Sequence, residues 1–291
     1  MNKENVELIE AHDHPLDGYL REGRIPHIFC PGCSLGSIMT VIIDAIKEAG
    51  FDPKKVSVVS GIGCTGRIAG YLNFDSFHTT HGRAIPFAIG LSVTDPERKV
   101  IVVSGDGDLF AIGGNHFIHA ARRNADITVI CVNNFNYGMT GGQVGPTSYI
   151  GQFQSTAPYG SQEEPFNLPD LAASCGAVYV ARWTALDVRR TKESLVEALQ
   201  KKGFSFVEIL GSCPTTFGRR NQLAEGKIIL EYFKEKAVLK HGVDTRYVGI
   251  TKNSDFAVGK FVDIEDRETL TDHLLHLQKI AKESASKGVR L

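Results

Sequence analysis

The sequence has no excess of charge of either sign. Its 32 Lys and Arg residues are offset by 33 Asp and Glu residues, so the formal net charge at pH 7 is −1. Proteins whose main task is nucleic-acid binding neutralise phosphates with a surplus of basic side chains. The charge balance therefore gives no support to nucleic-acid binding, and we expect no nucleic-acid partner.

The sequence also lacks long apolar runs and a secretory leader. No stretch approaches the roughly 20 apolar residues that a membrane-spanning helix needs. The N-terminal residues are polar and of mixed charge, which does not resemble a signal peptide. We therefore expect a cytoplasmic protein with no membrane partner. In that compartment its six cysteines should be free thiols or metal ligands rather than disulfides.

The composition that remains is that of a folded globular protein, with 42% hydrophobic residues, 22% charged residues and 30 glycines. Short β-branched runs alternate with helical patterns near residues 34–49, 82–93, 112–123 and 187–202. The runs predict buried parallel strands at Val56–Ser60, Val100–Ser104, Ile127–Val132, Val178–Ala181 and Phe204–Leu210. This alternation predicts a doubly wound α/β fold, with a mostly parallel sheet and helices on both faces.

Two segments depart from this alternation. Residues 137–169 are rich in Gly, Gln, Ser, Thr and Pro without clear periodicity, which is typical of a functional loop or an interface. Residues 216–291 contain 14 Lys or Arg and 11 Asp or Glu, a higher charge density than in the rest of the chain. We therefore divide the chain into a main domain, residues 1–215, and a charged C-terminal extension, residues 216–291, with helices near 222–238 and 267–285.

Polar residues follow two predicted strands that should be neighbours. Asp106 lies in a Gly-Asp-Gly-Asp turn, and Asn134 ends the next strand 28 residues later. One strand–helix–strand unit of this length brings both side chains to the same edge of the sheet. Carboxylate and amide oxygens suit Mg²⁺, which completes its shell with phosphates, and the flanking Gly105 and Gly107 let the backbone approach a phosphate closely. An ordinary tight turn beside a polar strand end is the alternative.

Four cysteines lie in turns at or near predicted strand and helix ends. Cys30 and Cys33 form a Cys-Pro-Gly-Cys motif, whereas Cys64 and Cys213 each follow a glycine-containing turn. No thioredoxin-sized unit surrounds the first pair, which argues against a redox dithiol. A structural zinc site draws on two closely spaced pairs, whereas a [4Fe–4S] cluster accepts thiolates from scattered loops. Spacing alone leaves the cluster and zinc both open.

The remaining two cysteines differ in their surroundings. Cys131 lies within an apolar predicted strand, and Cys175 lies in an Ala-Ala-Ser-Cys-Gly-Ala segment. Free cysteine in such contexts behaves as a small hydrophobic residue. We predict that both are buried thiols without a ligand role.

Six motifs, in the same order along the chain, resemble the β subunit of 2-oxoacid:ferredoxin oxidoreductases. They are CPGCSLG at 30–36, GIGCTGR at 61–67, HGRAIPFAIG at 81–90, SGDGDLFAIGGNH at 104–116, NNFNYGMTGGQ at 133–143 and GSCPT at 211–215. The resemblance covers most of residues 25–220. Ser34 departs from the glycine that is more common in the family's cysteine motif, but it changes no ligand.

The resemblance implies three cofactors: thiamine diphosphate, Mg²⁺ and one [4Fe–4S] cluster. Mg²⁺ would be held by Asp106, Asn134 and the main-chain carbonyl of Asn136. The cluster would be ligated by Cys30, Cys33, Cys64 and Cys213. The residues expected to contact thiamine diphosphate are Ile62, Gly63, Cys64, Thr65, Gly105, Asp106, Gly107, Asp108, Asn134, Asn136, Gly138 and Met139.

The resemblance also implies partners and a reaction. In this family a 2-oxoacid is decarboxylated, coenzyme A captures the acyl group, and electrons pass to a separate ferredoxin. No second thiamine-binding domain is recognisable in the 291 residues, so the family's α subunit is an expected partner. Two other functions stay open: a non-oxidative thiamine-dependent decarboxylase subunit, and an iron–sulfur electron-transfer module without catalysis.

Arg67 and His81 are candidate catalytic residues. Arg67 lies three residues after Cys64 and offers a fork for a substrate carboxylate; a surface arginine or an arginine in an internal salt bridge is the alternative. His81 precedes a predicted helix and could donate to a phosphate oxygen or polarise a carbonyl; a structural helix-entry histidine is the alternative. The segments around 26–33 and 62–88 resemble the 2-oxoglutarate enzymes of the family most, which predicts 2-oxoglutarate as substrate, with pyruvate and branched-chain 2-oxoacids as alternatives.

Overall fold

The computed structural model describes residues 15–252 and 254–286. An eight-stranded sheet forms the centre of this part of the chain, with the strand order β2-β1-β3-β4-β6-β5-β8-β7. The strands are β1 Val56–Ser60, β2 Asp75–His78, β3 Lys99–Gly105, β4 Thr128–Asn133, β5 Tyr179–Thr184, β6 Ser205–Leu210, β7 Ala237–Leu239 and β8 Phe256–Asp263. Strands β1 to β6 run parallel, whereas β8 pairs antiparallel with β5 and parallel with β7.

Helices cover both faces of the sheet. They are α1 Leu35–Glu48, α2 Ala84–Thr94, α3 Gly114–Arg122, α4 Leu168–Ser174, α5 Val188–Gln200, α6 Gly226–Lys236 and α7 Leu270–Ser286. Among the residues that the structure describes, no helix has both the length and the apolar character required to cross a bilayer.

The alternation of side chains along the strands creates two hydrophobic cores. In β3, Ile101 and Val103 pack into one core with α1, α5 and α6, and Val100 and Val102 pack into the other with α2, α3 and α4. Because successive strand residues point to opposite faces, continuous apolar strands such as these fit only a sheet covered on both sides. The predicted doubly wound α/β fold is confirmed.

Several element bounds differ from the prediction. Strand β2 was not predicted, because it is a short edge strand without a buried apolar run. Helix α3 begins at Gly114 rather than 112, because the preceding residues 107–112 form a π-helical turn. A short helix, α4, begins at the end of the 137–169 segment and was also not predicted.

The charged C-terminal segment contributes to the central sheet. Strand β8 alternates buried and more exposed residues at its end and pairs with β5, and β7 extends the sheet by one further strand. The prediction contained the two helices of this segment, here Gly226–Lys236 and Leu270–Ser286, but neither strand. The division of the chain at residue 215 stays a prediction.

Candidate active site

Three neighbouring strands, β1, β3 and β4, deliver their carboxyl ends to one cavity of about 130 Å³. The turns that follow these strands form most of its wall. All twelve residues predicted to contact thiamine diphosphate line this cavity, together with His81, Tyr137 and Thr140. Ligands in open α/β sheets bind beyond the carboxyl ends of the strands, and the cavity has that location.

The three predicted Mg²⁺ ligands converge at this cavity. One terminal position of the Asn134 side-chain amide lies 3.3 Å from Asp106 Oδ1 and 2.7 Å from the main-chain oxygen of Asn136. With nitrogen at that position the amide donates to both oxygens. With oxygen there, three oxygens face one another, an arrangement that a divalent cation stabilises. The donor set of one carboxylate, one amide and one carbonyl therefore fits Mg²⁺.

Asp106 is held in a buried, polar environment. Its side chain is 1% exposed, and burial raises the pKa of its carboxyl to about 6, although the hydroxyl of Thr147 and nearby backbone amides lower it. The Thr147 hydroxyl lies 2.5 Å from Asp106 Oδ2. Burial of an unpaired carboxylate is unfavourable, so a bound cation at this position would relieve that cost.

Asp108, the second carboxylate of the same turn, connects three loops. Its Oδ1 accepts hydrogen bonds from the backbone amides of Ile62, at 3.0 Å, and Gly82, at 2.8 Å. The same oxygen contacts His81 Nδ1, and Oδ2 accepts from Ser104 Oγ at 2.8 Å. Since both oxygens are occupied and the side chain is buried, Asp108 shapes the cavity by fixing its loops.

Two glycines allow this close packing around the cavity. A Cβ at Gly61 would overlap the carboxylate of Asp108, and a Cβ at Gly107 would overlap the ring of Tyr137. Gly107 also begins the π-helical turn after β3. Such turns are frequent at functional sites because they redirect the backbone locally.

A second cavity, of about 320 Å³, is lined by the four cysteines that were predicted as cluster ligands. Cys30 is exposed, whereas Cys33, Cys64 and Cys213 are partly buried. Burial, together with the charges of the neighbouring cysteines, raises the pKa of Cys33 to about 12 and that of Cys64 to about 11. Bringing thiolates together in this cavity therefore requires a compensating positive charge, which a metal centre supplies.

The four thiols can be compared with the ligand sets of a single metal ion and of a cluster. In residues 15–252 and 254–286, no group of three or more His, Cys, Asp or Glu side chains is placed to hold one ion. A tetrahedral zinc site would need four ligands within about 2.3 Å of one point. A cubane takes four thiolates that lie further apart, and four thiols around one cavity are a donor set of that kind.

The two cavities are contiguous. They share four lining residues, Cys64, Asn134, Gly138 and Met139. Thr216 also links them, because its hydroxyl lies 3.0 Å from Cys213 Sγ and donates to Asn136 Oδ1 at 3.2 Å. A group in the thiol cavity would therefore lie next to a group in the strand-end cavity.

Arg67, a candidate catalytic residue, lies at the surface. It is exposed, and it lines both the thiol cavity and an adjoining cavity of about 440 Å³ that also contains Arg21 and Arg24.

None of the six cysteines forms a disulfide. Cys131 is buried as predicted, but the predicted burial of Cys175 is wrong, because it lies at the partly exposed end of α4.

Sequence reasoning missed Thr147 and Tyr137. Thr147 belongs to the segment 137–169, in which no periodicity marks any single residue, and only the fold places its hydroxyl against Asp106. Tyr137 lines the strand-end cavity, and its hydroxyl donates to the main-chain oxygen of Gly107 at 3.4 Å. The polar composition of the segment was the only available signal.

Comparison with known proteins agrees with this geometry. The model of the C-terminal thiamine-pyrophosphate-binding domain of thiamine pyrophosphate enzymes matches residues 61–209. The chain is 45% identical over 271 residues to 2-oxoglutarate synthase subunit KorB of Methanocaldococcus jannaschii, covering 93% of this chain and 100% of that protein. It is 44% identical over 189 residues to 2-oxoacid:ferredoxin oxidoreductase subunit beta of Saccharolobus solfataricus, covering 64% and 62%.

A solved structure is similar over almost the whole chain. It is the 2-oxoglutarate:ferredoxin oxidoreductase from Magnetococcus marinus with 2-oxoglutarate, coenzyme A and succinyl-CoA bound. The TM-score is 0.81 at 29% sequence identity, and the match covers 98% of this chain and 94% of that one. The chain belongs to the thiamine pyrophosphate enzymes and, among them, to the β subunits of the 2-oxoacid:ferredoxin oxidoreductases.

Proposed function

We propose that this chain is the β subunit of a cytoplasmic 2-oxoglutarate:ferredoxin oxidoreductase. The reaction converts 2-oxoglutarate, coenzyme A and oxidised ferredoxin to succinyl-CoA, CO₂ and reduced ferredoxin, or runs in reverse. The observation that carries the proposal is the contiguity of two cavities, one with a Mg²⁺-type set of oxygens and one with four thiols. The substrate assignment rests on relatives named for 2-oxoglutarate.

The strand-end cavity would hold thiamine diphosphate through its diphosphate and Mg²⁺. Asp106 and Asn134 would each give one side-chain oxygen to the cation, and Asn136 would give its carbonyl oxygen. Glycines at 105 and 107 let the backbone approach the diphosphate. When bound, thiamine diphosphate supplies the carbon nucleophile that decarboxylates a 2-oxoacid.

The thiol cavity would hold one [4Fe–4S] cluster. Cys64 lies in the wall of both cavities, so the cluster that it ligates would touch the space assigned to the cofactor. Electrons then need to cross only a short distance inside this chain. Cys30 is exposed, which leaves that side of the cluster accessible to ferredoxin.

Arg67 and His81 would act on the substrate side. The Arg67 guanidinium is exposed beside the thiol cavity and is available to pair with the distal carboxylate of 2-oxoglutarate. His81 lies at the wall of the strand-end cavity with Nδ1 against Asp108. A carboxylate only accepts hydrogen bonds, so the ring hydrogen lies on Nδ1 and the other ring nitrogen is free to contact a phosphate or carbonyl group.

An α subunit would complete the site. The relatives are named as subunits, and the cavity mouth carries exposed apolar side chains, including Met139 at 48% and Ile62 at 39% exposure. Exposed apolar groups around a cavity are typical of a surface that another chain covers. In this proposal the α subunit supplies the contacts with thiamine diphosphate that this chain does not make. It also supplies most of the contacts with coenzyme A.

An anaerobic assay of the co-purified complex tests the proposal. Ferredoxin reduction is followed with 2-oxoglutarate, pyruvate and branched-chain 2-oxoacids, each with and without coenzyme A. We expect the highest kcat/KM for 2-oxoglutarate and a strict requirement for coenzyme A. A higher value for pyruvate or a branched-chain acid would refute the substrate assignment, and CO₂ release without ferredoxin reduction would refute the oxidative reaction.

A further inference from the structure

A charged pair lies in the centre of the sheet, where apolar residues are expected. Arg182 in β5 and Glu208 in β6 are paired in register and are 1% and 0% exposed. Arg182 Nε donates to Glu208 Oε2 at 2.6 Å. Buried ion pairs contribute little net stability, because desolvation offsets their attraction, and apolar replacements are often as stable. Stability therefore does not account for this pair.

The pair is connected to the Mg²⁺ ligands by two polar side chains. Asn133, the last residue of β4, donates from Nδ2 to Glu208 Oε1 at 2.8 Å. Its Oδ1 accepts from the amide of Phe135 at 3.0 Å and lies 2.9 Å from the hydroxyl of Thr147. The same hydroxyl lies 2.5 Å from Asp106 Oδ2. The residues of this buried polar chain are Arg182, Glu208, Asn133 and Thr147.

Both ends of the buried polar chain are held by hydrogen bonds. At one end, Arg182 Nη1 donates to the main-chain oxygen of Val248, in the C-terminal segment. At the other end, the single hydroxyl hydrogen of Thr147 can be donated to Asp106 or to Asn133, and an ionised carboxylate is the stronger acceptor. No member of the chain is more than 4% exposed, so water does not compete for these bonds.

We propose that the buried polar chain positions the Mg²⁺ ligands, with the Arg182–Glu208 pair as its anchor. This inference rests on the proposed cofactor site. The buried polar chain would hold two of the Mg²⁺ ligands at once. Thr147 orients the carboxylate of Asp106, and the Asn133 side chain fixes the backbone from which Asn134 projects. Groups that hydrogen-bond metal ligands orient them and raise metal affinity. The residues of the chain are positioning residues and do not touch the metal.

Thr147 offers the sharpest test, because Thr147→Val removes the hydroxyl and keeps the shape. The probe is Mg²⁺, titrated calorimetrically into the metal-free αβ complex in the presence of thiamine diphosphate. We expect Thr147→Val to weaken Mg²⁺ binding by about 10–100-fold and Thr147→Ser, which keeps the hydroxyl, to restore it. Activity lost by Thr147→Val at low Mg²⁺ should return as the Mg²⁺ concentration rises.

Thr128→Val is the matched control. Thr128 is also buried and lies in the same strand as Asn133. Its substitution by valine removes one hydrogen bond, which the Thr128 hydroxyl donates to the main-chain oxygen of Ala198. A general effect of removing a buried hydroxyl would lower thermal stability in both variants and leave Mg²⁺ affinity alone. Equal Mg²⁺ affinities of Thr147→Val and Thr128→Val would overturn the proposal.

A double-variant cycle tests whether the effect extends to the anchor. Glu208→Gln keeps the size of the side chain and removes the charge, and we expect it to weaken Mg²⁺ binding as well. Combined with Thr147→Val, it should weaken binding by less than the product of the two single effects, because both interrupt one chain. If the two substitutions weaken Mg²⁺ binding independently, the Arg182–Glu208 pair does not act through Thr147, and its role as the anchor is refuted. If Glu208→Gln does not fold, the Thr147 variants decide.

The proposed function has a separate criterion in the same experiment. If the parent complex binds no Mg²⁺ and thiamine diphosphate, or if Asp106→Ala binds them as the parent does, the cofactor site is wrong. If the parent binds, Asp106→Ala does not, and Thr147→Val matches the parent, only the positioning role is wrong.

Discussion

His81 Nδ1 is hydrogen-bonded to Asp108 Oδ1, at the wall of the strand-end cavity. The same carboxylate oxygen also accepts from the amides of Ile62 and Gly82. The orientation of the imidazole and the position of the 61–63 turn therefore depend on one buried group. Asp108 therefore holds the loops of the cavity together, and His81 lies at the cavity wall.

Asp108→Asn should weaken both the fold and the cofactor site. The neutral amide cannot replace the charge-assisted bonds to four donors, and bonds to charged groups contribute about 1.5–3 kcal/mol each. We expect a loss of at least that amount in the free energy of unfolding, together with weaker thiamine diphosphate binding. Denaturant unfolding and cofactor titration measure the two effects.

His81→Gln is the control for this change, since it leaves Asp108 and both backbone bonds in place. It should lower kcat with a much smaller effect on unfolding. Equal losses of stability in the two variants, with kcat unchanged in His81→Gln, would show that His81 has only a structural role.

Asp106→Asn should stabilise the cofactor-free protein while abolishing its response to Mg²⁺ and thiamine diphosphate. The folded-state pKa of Asp106 is raised from 3.8 to about 6 by burial. A raised carboxyl pKa means that ionisation opposes folding, so this contribution to stability falls as pH rises from about 4 to 6 and stays low above 6. Two pKa units correspond to about 3 kcal/mol as an upper bound.

Thermal unfolding at pH 5 and pH 7.5, with and without the cofactors, measures this prediction. The parent should gain stability from Mg²⁺ and thiamine diphosphate, and the variant should not. The difference between cofactor-free variant and parent should be larger at pH 7.5 than at pH 5. A variant less stable than the cofactor-free parent at pH 7.5 would contradict the unfavourable burial of Asp106.

Cys213→Ser should lower the iron content below four per chain and bleach the visible absorbance of the anaerobically purified complex. Cys213 lines the thiol cavity with the other three predicted ligands, and serine is a poor ligand for such a cluster. Cys175→Ser is the control, because Cys175 lies outside that cavity. Four irons in the Cys213 variant, or their loss from the Cys175 variant, would show that the ligand assignment is wrong.

Arg67→Gln should reduce kcat/KM for 2-oxoglutarate by roughly tenfold or more and that for pyruvate much less, since a charge-assisted hydrogen bond contributes about 1.5–3 kcal/mol. Pyruvate lacks a distal carboxylate, so it has no group for this contact. Steady-state ferredoxin reduction on both substrates gives the comparison. Equal losses on both would instead place Arg67 against the carboxylate that all 2-oxoacids share.

The sequence was sufficient to predict the residues at adjacent strand ends. Asp106 follows the first strand and Asn134 follows the second strand of one strand–helix–strand unit. Because the two strands are parallel neighbours, local connectivity alone brings both residues to the same edge of the sheet. The apolar strands of residues 56–210 are equally local signals. The doubly wound fold follows from such features, whereas most residues in the wall of the strand-end cavity were named only through the resemblance to a known family.

Contacts between distant segments could not be predicted in this way. Thr147 reaches Asp106 only after an aperiodic segment folds back, and Arg182 meets Glu208 only through the register of β5 and β6. Strand β8 lies in a segment whose charge density suggested a peripheral extension, yet it pairs with β5. In each case the deciding interaction is tertiary and leaves no periodic signal in the chain.

We expect the two contiguous cavities to hold thiamine diphosphate and one cluster that exchange electrons directly. This expectation is tested by electron paramagnetic resonance of the anaerobic complex after addition of 2-oxoglutarate alone, with Asp106→Ala as the comparison. We expect a reduced-cluster signal in the parent. The variant should keep its four irons, give the signal with dithionite, and give none with 2-oxoglutarate. Substrate-dependent reduction in Asp106→Ala, or its absence in the cofactor-loaded parent, would show that the two cavities do not exchange electrons in this way.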